Sequence, residues 1–126
     1  MEQIQDLRAE ISESIAHHKL EQAAQLYLRL QQLDSQQVLA RQAQLDVANQ
    51  LFVQQQHRAA ADAYEQFLKY YGKYDQLEQI QLILGIIYAR YLHDAPKARE
   101  HLEAALRRLH NPKEIELAQS ALAGLA

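Results

Sequence analysis

Apolar side chains recur along this chain at intervals of three and four residues, the spacing that places them on one face of an α-helix. The first stretch carries Ile4, Leu7, Ile11 and Ile15, and the second Leu20, Ala23, Tyr27 and Leu30. Val38, Leu45, Ala48, Leu51 and Phe52 continue the pattern in a third stretch, and Ala60, Ala63, Tyr64, Phe67 and Leu68 in a fourth. Polar and turn-forming residues interrupt it near His17-His18-Lys19, Asp34-Ser35, Gln55-Gln56-His57, Gly72-Lys73, His93-Asp94 and His110-Asn111-Pro112. These breaks predict seven helical segments, arranged in pairs.

The second members of the pairs resemble one another. In LEQAAQLYLRL, HRAAADAYEQFL and APKAREHLEAAL, Ala23, Ala60 and Ala98 fall in register, followed by Tyr27, Tyr64 and Leu102 and then by Leu30, Phe67 and Ala105, at offsets of 37 and 38 residues. The first members share a small residue followed three positions later by a large one, Ala48-Leu51 and Gly85-Tyr88, set 12 and 13 residues ahead of Ala60 and Ala98. A small residue lets a neighbouring helix approach closely, and the large residues around it interlock. Repetition of such a unit predicts an all-α helical solenoid. Residues 113–125, KEIELAQSALAGL, place Ile115, Ala118, Leu122 and Leu125 on one face, as suits a helix that caps the last repeat.

These residues resemble the tetratricopeptide repeat (TPR) family. In LGIIYARYLHDAPKAREHLEAALRRLHNP, residues Leu84, Gly85, Tyr88, Ala98, Leu102, Ala105 and Pro112 stand at consensus places of that motif, and Ala48, Leu51, Ala60 and Tyr64 do so in the stretch before it. The likeness is strongest over 41–112 and extends to 1–34, where Ile11 holds the small-residue place and Ser14 the large one. It implies one TPR-like domain over 1–126, a right-handed superhelix with repeats at about 1–34, 36–72 and 75–110 and a capping helix at 113–125. The combination of LDVANQLF, AAADAYEQFLKYY and QLILGIIYARYL is also similar to soluble TPR-like tails of some bacterial rhomboid-type intramembrane proteases. That second likeness bears on context only, because the chain has no membrane segment on which protease chemistry could transfer.

Composition agrees with an all-helical reading. The 126 residues include 20 Ala, 20 Leu and 19 Gln against 3 Val, 8 Ile and no Thr, with 3 Gly and 2 Pro, too few β-branched and turn residues for a sandwich, barrel or βαβ fold. A net charge of -3 with interspersed signs offers no dense basic stripe for nucleic-acid phosphates or anionic lipid. The absence of cysteine removes disulfides, thiolate metal sites and a cysteine nucleophile. The amino terminus, MEQIQDLRAE, lacks the order of a secretory signal, and no apolar run nears the ~20 residues that span a bilayer, so a cytoplasmic location and no direct membrane insertion are expected.

Catalytic patterns are missing from the same residues. Neither HExxH nor GxSxG occurs, and Gly72, Gly85 and Gly124 are too scattered to cradle a phosphate. His17, His18, His57, His93 and His110 fall at segment ends, where imidazole is a tolerated polar group. Tyr27, Tyr64 and Tyr88 read as packing residues, while Tyr70, Tyr71 and Tyr74 crowd one junction. No enzyme activity, metal or cofactor is expected.

By the TPR resemblance, the first helix of each pair lines a concave groove. Groove positions would be Arg8, Ser12 and Ile15, then Leu45, Asn49, Phe52 and Val53, then Leu82, Ile86, Ala89 and Arg90. Leu45, Phe52, Leu82 and Ile86 would form an apolar floor, with Asn49 and Arg90 setting the direction of a bound helical or extended peptide. QIQLILGIIYARYL is apolar nearly all round, which means either burial on several sides or a side that meets a partner. The expected function is a noncatalytic protein-protein interaction module or scaffold. The alternatives are a self-assembling homodimeric domain and a soluble accessory domain of a larger membrane-associated protein.

Overall fold

The computed structural model describes residues 3–73 and 77–125. Seven α-helices and no strand occur among them: α1 Gln3–Ala16, α2 Leu20–Leu33, α3 Arg41–Val53, α4 His57–Tyr71, α5 Leu77–Arg90, α6 Ala95–Leu106 and α7 Pro112–Ala123. The chain divides into two compact units, Met1–Tyr70 and Tyr71–Ala126. Tyr74, expected at an interhelix junction, lies outside the described residues.

In unit one, α1 packs on α2 and α2 on α3. The core is built from the residues that the three-and-four spacing places inward: Leu7 and Ile11 of α1, Ala23, Tyr27 and Leu30 of α2, Ala48 and Leu51 of α3, and Ala60, Tyr64 and Phe67 of α4. In the first pair the sizes are exchanged, since buried Ile11 and Ser14 stand in register with Ala48 and Leu51. Val38 is not helical, because α3 begins only at Arg41. Its segment is held as a loop by bonds from α1, α2 and α4. Arg8 Nη1 donates to Gln37 Oε1 and the Val38 carbonyl, Gln31 Nε2 to the Gln37 carbonyl, and Gln66 Nε2 to the Ser35 carbonyl.

Unit two packs α5, α6 and α7 against one another. Its core comprises Ile80, Leu82, Leu84, Ile87 and Tyr88 of α5, Ala98, Leu102 and Ala105 of α6, and Ala118 and Ala121 of α7. Two helices begin at breaks that the sequence shows, each on a capping side chain. Asp94 Oδ1 accepts from the Lys97 backbone N–H, and Asn111 Oδ1 accepts from those of Lys113 and Glu114, each cap being followed by a proline in the first turn.

The corners inside the helix pairs repeat with the sequence. His18, Gln55 and His93 take left-handed backbone angles, φ 60°, 64° and 54°, at the ends of α1, α3 and α5. The register-equivalent carbonyls of Ser14, Leu51 and Tyr88 accept from the backbone N–H groups of Lys19, Gln56 and Asp94 at 2.7, 2.9 and 2.9 Å. The first two bonds close the six-to-one ring of a Schellman cap. The third encloses one more residue, and Leu92 N–H fills the added space by bonding to the Ile87 carbonyl at 3.0 Å. That extra corner residue is the physical origin of the step from 37 to 38 in the repeat.

Candidate functional site

α3 presents two faces of different chemistry. Gln44, Val47, Ala48 and Leu51 are buried, while Leu45, Asn49, Phe52 and Val53 follow one another at helical spacing on the opposite side. Leu45 and Phe52 are half-buried and Asn49 is exposed. Val53 is 72% exposed, more than any other large apolar side chain described. The Phe52 ring meets His57 edge-on, 6.1 Å between centroids, which fixes it at the start of α4.

Asn49 is oriented from inside unit one. The Tyr64 hydroxyl donates to Asn49 Oδ1, so the amide nitrogen, a donor, is the part of the side chain left for the surface. Tyr64 is fully buried and its hydroxyl pKa is raised by desolvation, which keeps it a neutral donor. Of the other positions expected in unit one, Ser12 is exposed and Ile15 half-buried, while Arg8 is tied to the loop before α3.

On α5, Leu82 is buried, Ile86 and Ala89 are half-buried and Arg90 is exposed. Ile80, Leu84, Ile87 and Tyr88 are buried as well, and no large apolar side chain of this helix is exposed among those described. The all-round apolar sequence of α5 therefore reflects burial on several sides. Arg90 borders a shallow cleft of about 200 Å³ with Ala89, Ser120, Ala121, Gly124 and Leu125.

Two polar groups inside the units escape a reading of the sequence alone. Gln44 is fully buried, where its Oε1 accepts from the Leu39 backbone N–H and its Nε2 donates to the Tyr27 hydroxyl and the Ala63 carbonyl, all within 3.0 Å. Burial raises the Tyr27 pKa more than this hydrogen bond lowers it, and the charge of Asp62 adds to the rise. His101 is 6% exposed, stacked on Tyr88 with 5.7 Å between centroids, and its Nδ1 lies 2.6 Å from Gln81 Oε1. The Lys97 ammonium sits 5.4 Å from the centroid of the same Tyr88 ring. The signal for both was position: Gln44 and His101 stand one turn from Ala48 and Ala98 on otherwise apolar faces.

Among the described residues no three His, Asp or Glu side chains are grouped to hold a metal ion. No helix described is long and apolar enough to cross a membrane. Comparison with known proteins adds no relative: no family profile, curated protein or solved structure matches the chain.

Proposed function

We propose that this chain is a noncatalytic protein-interaction module that binds a helical or extended peptide of a partner protein on the outer face of α3. The observation that carries this reading is Val53, 72% exposed beside half-buried Leu45 and Phe52 on a helix whose other face is core. Burying one such aliphatic side chain under a partner is worth about 1.5–3 kcal/mol, and Asn49 adds a donor whose direction is set by Tyr64. In unit two, Ile86 and Arg90 are that unit's own candidate contacts, while buried Leu82 supports α5 from within. The right-handed TPR-like superhelix belongs to the same proposal. Its support is the recurrence of the small-large pairs and of the left-handed corner residues at 37- and 38-residue steps.

A partner surface of this kind suits an amphipathic segment with anchors three and four residues apart. The test is to select helical peptides from a display library on the purified protein and to map the bound site by amide chemical shifts. Perturbations centred on Asn49, Phe52 and Val53 are expected. Perturbations confined to α2 and α4 would overturn the assignment to α3.

A further inference from the structure

We draw no further inference here: the strongest candidate, the largely apolar cleft of about 380 Å³ between α2 and α4 lined by Tyr27, Leu28, Gln31, Ala59 and Asp62, is an unpartnered face of unit one, and nothing in the structure shows what covers it.

Discussion

Gly85 of α5 and Leu102 of α6 meet so closely that a Cβ placed on the glycine would lie 2.6 Å from Leu102 Cγ, 2.7 Å from its Cδ2 and 3.1 Å from its backbone nitrogen. The first two distances are shorter than any tolerable contact, and the third involves main chain, so a rotamer change at Leu102 relieves only part of the clash. Both residues are completely or almost completely buried. The close approach of α5 to α6 thus depends on the absence of a single methyl group.

Gly85→Ala is therefore expected to destabilise unit two by about 1–3 kcal/mol, the usual range for overpacking a core, despite the better helix propensity of alanine. Thermal or urea unfolding monitored by circular dichroism measures it. Adding Leu102→Ala to Gly85→Ala should cost less than the sum of the two single changes, because the clash is gone. Strict additivity would contradict the contact.

Gln44→Ala removes three hydrogen bonds at once and leaves the Leu39 N–H, the Tyr27 hydroxyl and the Ala63 carbonyl without that partner in a buried setting. A loss on the order of 3 kcal/mol follows from the cost of unsatisfied buried groups. Gln42, four residues from Asp46 and exposed, makes one side-chain bond at the surface. Its replacement by alanine should change stability by no more than about 0.5 kcal/mol, and equal losses in the two variants would remove the hub role from Gln44.

Gln55 adopts φ 64° without being glycine. A side chain in that region costs about 1–2 kcal/mol, and glycine recovers it less its own entropy of ordering. Gln55→Gly should stabilise unit one by about 0.5–1 kcal/mol while Gln55→Ala does not. A destabilised glycine variant would mean that the glutamine side chain contributes more than its backbone angle costs.

Asp34 ties the loop before α3 at its start. Its carboxylate accepts first from the Gln36 backbone N–H at 3.0 Å and second from Gln37 Nε2 at 3.2 Å, and these bonds hold its pKa below the ordinary aspartate value of 3.8. Because the folded-state value is the lower one, the contribution is complete above the unfolded value and disappears as pH falls through the folded one. An acid titration of stability should lose part of its slope below pH 3.8 in Asp34→Asn. An unchanged acid limb would show that these bonds either survive in the unfolded chain or do not lower the folded-state pKa.

The seven helices were legible because each signal is local: apolar periodicity, and the polar and turn-forming residues that interrupt it. The repeat register was legible too, down to the extra residue before Ala98, although the corner that absorbs it could not be placed without the backbone. Val38 illustrates what was not legible. Its three-and-four relation to the α3 face reads as helix, yet Arg8, 30 positions away, holds its carbonyl in a loop. Gln44 and His101 show the same limit, since the elements that bury them and supply their partners lie elsewhere in the chain.

The candidate site divides along the same line. The TPR resemblance implied Leu45, Asn49, Phe52 and Val53 as groove positions, and nothing in it distinguished exposed Val53 from half-buried Phe52. On α5 the equivalent pattern includes Leu82, which is buried. Exposure depends on what packs over each helix, and that is a property of the whole unit rather than of one segment.

Val53 is the cleanest probe of the proposed binding face because its exposed side chain contributes little to the core, whereas Phe52→Ala also removes the ring contact with His57. Asn49→Ala should weaken a peptide by the value of one hydrogen bond, about 1 kcal/mol. The deciding measurement is isothermal titration of a helical peptide selected on the unmodified protein into Val53→Asp, with helix content checked by circular dichroism. At least a tenfold loss of affinity, about 1.4 kcal/mol, is expected with the helices intact. Unchanged affinity in a folded Val53→Asp protein would contradict the proposed binding face.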